Sequence, residues 1–118
     1  MFDALRKLDV WRRSCRVSVE IYKLLEKCPE RAYRDQLSRS ALSIASNIAE
    51  GYERETIRDR IRFLSIAKGS CGECWTQLLI GIKAGFVSKE AAEPIKGELE
   101  EIAKMIRGLI VYLENHER

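Results

Sequence analysis

Apolar residues recur along this chain at helical rather than strand intervals. In the last third Ile95, Leu99, Ile102, Ile106, Leu109 and Leu113 follow one another at spacings of 4-3-4-3-4, the seam that a helix needs to join a bundle core. A second seam runs through Ile57, Ile61, Leu64, Cys71, Trp75, Leu78 and Ile82, interrupted by Lys68. Pro29 follows one long periodic segment, Gly51 closes another, and Gly85 with Ser88 separates a third from a fourth; these are helix stop and start signals. Four helices are predicted, near residues 4–27, 30–51, 57–84 and 89–114. Thr56 and Asp59 form a T-x-x-D capping box and Ser88 caps the last helix. The three connections are short, which sets neighbouring helices antiparallel. The expected fold is all-α: an up-down-up-down antiparallel four-helix bundle, with residues 1–118 as one domain.

The first two helices carry more apolar surface than one bundle can cover. Helix one has the stripe Leu8, Trp11, Cys15, Ser18, Tyr22, Leu25 and, beside it, Val10, Ser14, Val17, Ile21, Leu24, Cys28. At about 100° per residue the two together span roughly half the circumference or more, a wider arc than a monomeric bundle uses. Helix two repeats the pattern with Leu37, Ala41, Ile44, Ile48 beside Leu42, Ala45, Ala49, Tyr52. A second copy of the chain is the simplest partner for the surplus, so a homo-oligomer is expected. The competing reading is a generously buried core.

Composition agrees with a single folded domain. Of 118 residues, 46% are hydrophobic and 33% charged, and a chain of this length buries roughly two-thirds of its unfolded surface. The longest charge-free runs, Ser40 to Ala49 and Cys74 to Ile82, are about half of what a membrane-spanning helix needs. Charges at Asp3, Arg6, Lys7, Asp9, Arg12 and Arg13 interrupt any apolar run near the start, so no cleavable signal peptide is expected and a cytoplasmic chain with reduced thiols is the default. The net charge of +3 is unevenly spread: residues 1–40 hold ten basic and six acidic side chains, residues 41–80 five and five, and residues 81–118 six and seven. The basic excess therefore sits on helix one and the start of helix two.

Most catalytic chemistry is unsupported. Nucleophilic triads, histidine bases and most catalytic zinc sites need imidazole, and the single histidine is His116. A di-iron bundle needs Glu-x-x-His on two helices, but Leu113 stands three before His116. No phosphate-binding or dinucleotide-binding glycine motif and no nucleophile elbow occurs. Cys71-Gly72-Glu73-Cys74 is a C-x-x-C, yet Cys71 falls about four turns inside its helix, away from the free N–H groups that activate redox cysteines. Cys15 and Cys28 are thirteen residues apart on another helix and cannot close a four-cysteine site with the pair. All four read as small core residues, with no metal or cofactor expected. Glu50 and Glu73 fall about 24 Å apart along the bundle, too far for an acid/base dyad. At helical spacings Glu50 reaches Ser46, Asn47 and Arg54, and Glu73 reaches Gln77, so these six residues are expected to form structural polar networks.

One long run of residues has a specific resemblance. Gln36-Leu37, Ser43-Ile44-Ala45-Ser46-Asn47-Ile48-Ala49-Glu50-Gly51, Arg54, Phe63-Leu64-Ser65-Ile66-Ala67, Gly69-Ser70, Glu73 and Thr76-Gln77-Leu78 follow the pattern of the bacterial four helix bundle protein family. That family includes proteins encoded by intervening sequences in large-subunit ribosomal RNA genes and is similar to the accessory variability determinant of diversity-generating retroelements. The likeness covers nearly the whole chain, with Val10-Trp11, Ile21-Tyr22 and Pro29 agreeing in helix one. It implies a homopentameric helical bundle without known enzymatic activity and, for the retroelement relatives, binding of nucleic acid and of a reverse transcriptase. Three positions depart from the pattern: Ala45 replaces the usual proline, Ser38 a usual arginine beside Arg39, and Arg60 a usual aromatic.

Two functions stay open. In the first, Arg12, Arg13, Arg16 and Lys23 on one face of helix one, with Arg39 on helix two, present phosphate contacts repeated around a ring and bind RNA or DNA. Asp9, Glu20 and Glu26 share that arc and no aromatic interleaves it, which is also what an ordinary solvated face looks like. In the second, the oligomer is a protein-interaction scaffold and touches nucleic acid only through a partner.

Overall fold

The computed structural model describes residues 1–116, and the described residues form an all-α bundle. A short helix α1 (Asp3–Arg6) precedes four long ones: α2 (Asp9–Leu24), α3 (Arg31–Glu53), α4 (Ile57–Ala84) and α5 (Lys89–Asn115). α2 packs on α3, α3 on α4, α4 on α5, and α5 back on α2, which closes an up-down-up-down ring measuring 49 × 26 × 21 Å. The core is built from one stripe of each helix: Val10, Val17 and Ile21 of α2, Leu37, Ile44 and Ile48 of α3, Leu64, Cys71 and Leu78 of α4, and Leu99, Ile102 and Ile106 of α5.

Local chemistry sets the ends. Thr56 Oγ1 accepts the Asp59 N–H at 3.1 Å and Ser88 Oγ accepts the Ala91 N–H at 3.2 Å, the N-caps expected from the sequence. Gly85 takes a left-handed conformation, φ 78°, and Phe86 N–H returns to the Gly81 carbonyl at 2.8 Å, so α4 stops where its glycine allows.

Three boundaries differ from expectation. The predicted first helix is broken at Leu8, whose backbone is extended (φ −82°, ψ 111°). Arg12 explains why the break holds, because its Nη1 folds back onto the Arg6 carbonyl at 2.6 Å and satisfies an acceptor left open at the end of α1. At the other end α2 tightens into a 3-10 turn, Leu25–Lys27, and the Cys28 carbonyl beyond it accepts Arg34 Nη1 at 2.6 Å. α3 runs past Gly51 to Glu53, because Gly51 is buried against Arg60 and Phe63 of α4 rather than ending the helix. α4 also carries an unbroken core line where Lys68 had suggested a gap: Ala67 is fully buried while Lys68 is exposed.

Candidate nucleic-acid interface

The two flanks of α2 have opposite character. Toward α3, the Trp11–Cys15–Tyr22 stripe of α2 meets the Leu42–Ala45–Ala49 stripe of α3, leaving an open groove of about 400 Å³. Trp11, Cys15, Val19 and Tyr22 form one side, and Leu42, Ala45 and Ala49 the other. Val19 is 51% exposed, Tyr22 48% and Leu42 45%, so the core leaves these side chains half-uncovered. Ser18 sits at the same groove with its Oγ buried and without a hydrogen-bond partner among the described residues, an unusual state for a buried hydroxyl.

Toward α5 lies a cleft of about 700 Å³ with Arg13, Arg16 and Lys23 on its rim. The three cations are not equivalent. Arg13 donates from Nε and Nη2 to the two carboxylate oxygens of Glu98 at 2.7 and 2.6 Å, and its Nη1 approaches Met105 Sδ at 3.4 Å. This bidentate bond holds the Glu98 carboxyl below the usual carboxylate range, with the charge of Arg16 adding to the effect, and raises the Arg13 guanidinium further still. Arg16 and Lys23 are exposed and make no ion pair among the described residues. Glu20 lies between them on the same helix face, and the cleft wall behind is apolar: Leu24, Ala91, Pro94 and Ile95.

Of the other expected phosphate contacts, Arg12 is tied to Asp9 Oδ1 at 3.2 Å as well as to the Arg6 carbonyl. Arg39 is exposed on α3, outside the cleft. The five cations therefore do not make one continuous face: two are engaged, one stands apart, and the two free ones lie along the cleft.

The expected polar network also changes composition. Glu50 pairs with Arg54, and Asn47 Nδ2 donates to the Ser43 carbonyl and Oγ at 2.8 and 2.9 Å. Ser43 in turn meets Ser70 at 2.8 Å, and Gln77 Oε1 accepts from Ser40 at 2.6 Å. Ser46 lines the apolar groove instead, and Glu73 is exposed and forms no bond to Gln77. Helical spacing found neighbours on one helix, but Gln77 and Asn47 are committed to the line of small hydroxyls at Ser40, Ser43 and Ser70 that joins α3 to α4. The hydroxyl spacing on α3 was the available signal.

Three of the four thiols occupy the core positions expected of them, whereas Cys15 lines the α2–α3 groove outside the core. Cys28, Cys71 and Cys74 are buried in the core, Cys15 is partly buried, and burial pushes Cys71 and Cys74 up to about 12.

A family described as 23S rRNA-intervening sequence protein matches residues 6–108. The chain belongs to this family. A solved structure, a protein of unknown function from the S23 ribosomal protein family of Bacteroides thetaiotaomicron, is similar at 28% identity with a TM-score of 0.81, covering 86% of this chain and 97% of that one. No curated protein matches the sequence. Where this member of the 23S rRNA-intervening sequence family departs from the pattern noted above, the substitutions are absorbed locally. Ala45 leaves α3 helical from Arg31 to Glu53, Ser38 Oγ bonds back to the Arg34 carbonyl at 2.7 Å, and the Arg60 guanidinium lies 4.7 Å from the Tyr52 ring centre. No helix among the described residues is long and apolar enough to cross a membrane.

Proposed function

We propose that this protein is a non-enzymatic homo-oligomeric bundle that binds nucleic acid through its phosphate backbone, with Arg16 and Lys23 of every subunit as the principal contacts. The observation that carries this reading is the division of α2. Its α3 flank is an apolar groove suited to another copy of the chain, and its α5 flank holds the free cations, so assembly covers the first and leaves the second in water. A pentamer is the form that the family resemblance implies. Ring repetition turns two modest cations per subunit into a multivalent surface.

Binding through phosphates releases counterions, so affinity falls steeply with salt and depends little on sequence. Replacing Arg16 and Lys23 together by glutamine keeps helix propensity and removes two charges per subunit. The expected result in a salt titration of nucleic-acid binding is a lower affinity and a shallower salt slope in an intact oligomer. An unchanged slope would move the contacts to other cations, such as Arg31 or Arg39. No binding by the native protein at low salt would favour the second reading, a protein-interaction scaffold, with a reverse transcriptase as the partner that the resemblance implies.

A further inference from the structure

We infer that the cleft between α2 and α5 receives an unstacked base, which makes the protein a reader of single-stranded rather than duplex nucleic acid. This rests on the nucleic-acid reading above and specifies its ligand. Arg16 and Lys23 line a concavity of about 700 Å³ rather than a flat surface. That volume suits a small organic group and is far more than a phosphate oxygen fills. The wall is apolar, with exposed Ala91 and Pro94 beside the half-buried Leu24, and it offers a flat ring a contact surface that a phosphate does not use.

The order of charges along α2 fits the same ligand. Arg16, Glu20 and Lys23 share one face, the cations about 10 Å apart along the axis with the carboxylate between them. Glu20 repels a phosphate at the middle position and attracts the N–H edge of a base, such as the exocyclic amine of cytosine. Phosphates then fall on the two cations, with the base turned inward between them. Glu98 forms no hydrogen bond to Arg16 or Lys23, because both of its oxygens are engaged by Arg13 and its charge reaches Arg16 only through space. A duplex keeps its bases stacked inside and cannot fill the wall, whereas a single strand splays bases outward at little cost.

The test measures binding of the native oligomer, by fluorescence anisotropy at one fixed salt concentration, to three RNAs of equal length: a single-stranded cytidine tract, an abasic strand with the same phosphates, and a duplex. The cytidine tract should bind at least about threefold tighter than either of the others, a smaller gain than stacking on an aromatic ring because the wall is aliphatic. Pro94→Glu puts a carboxylate on the wall at an exposed helical position. It should weaken the cytidine tract while leaving the abasic strand closer to its native affinity, and its helicity and mass report folding and assembly directly. Equal binding of all three RNAs by the native protein would overturn the base site while leaving the phosphate reading intact. Failure of all three to bind at low salt would overturn both.

Discussion

Arg13 and Arg16 stand three residues apart on α2 with opposite fates, one locked to Glu98 and the other open to solvent. Periodicity alone puts both on one face. The lock depends on the register between α2 and α5, which follows from how the two cores interdigitate, and no spacing within either helix encodes it. The pair is about a quarter exposed on each side, so partial screening reduces its value to about 1 kcal/mol. Glu98→Gln should cost that much in urea unfolding at pH 7 and fixed protein concentration. The folded Glu98 carboxyl is held below its unfolded value of about 4.3, so its contribution is present above that pH and is lost as the pH falls through the depressed folded value. The difference between native and variant proteins should therefore shrink toward zero in acid.

Cys28, Cys71 and Cys74 were legible as core residues because their positions repeat the core stripes, whereas Cys15 falls on the stripe that forms the groove. With Cys71 and Cys74 pushed up to about 12 by burial, neither presents thiolate at neutral pH. Alkylation at pH 8 should leave Cys71 and Cys74 unlabelled in the folded protein, whereas Cys15, which lines the α2–α3 groove, should label faster when the oligomer is dissociated than when it is assembled. Replacing Cys71 and Cys74 together by alanine should preserve the fold with a loss of about 1–2 kcal/mol. Early labelling of the pair, or stoichiometric zinc whose removal melts the helices, would count against that role.

At the scale of elements, the caps were the most readable features. Thr56 and Ser88 start α4 and α5 because a hydroxyl before a periodic run satisfies backbone N–H groups that the helix itself cannot. Thr56→Ala removes the bond to the Asp59 N–H and should cost about 1 kcal/mol by chemical denaturation, with little change in the circular dichroism of the folded state. Two elements were misread for the same physical reason: their decisive partners are tertiary. Leu8 interrupts the first helix through contacts with the core edge and the Arg12 turn, not through a breaker residue. Gly51 looks like a stop signal, yet it lies within α3 and lets α4 approach. Pro94 had no visible effect on the periodic pattern, and α5 tolerates it in its second turn, where only one helix hydrogen bond is lost.

For the whole molecule, the doubled stripes of α2 and α3 carry the most information. One stripe from each helix builds the core, and the remaining pair forms the groove flanked by Val19, Tyr22 and Leu42. The sequence therefore contained the existence of this surface, although the pairing of the two stripes across a helix crossing became visible only in three dimensions. Which cations remain free around it was not legible, for the register reason that separates Arg13 from Arg16.

A second copy in that groove gives a direct test, because Val19 and Leu42 are exposed in the protomer. Changing both to glutamate should leave the bundle folded and place charge where the neighbour packs. Light scattering coupled to size exclusion at micromolar concentration reads the outcome. The native protein should elute as one species of about five times the 13.6 kDa protomer mass, and the double variant as a helical species of a single protomer mass. A native protein that is monodisperse at the protomer mass, or a double variant that assembles unchanged, would contradict the groove as the surface on which this bundle associates.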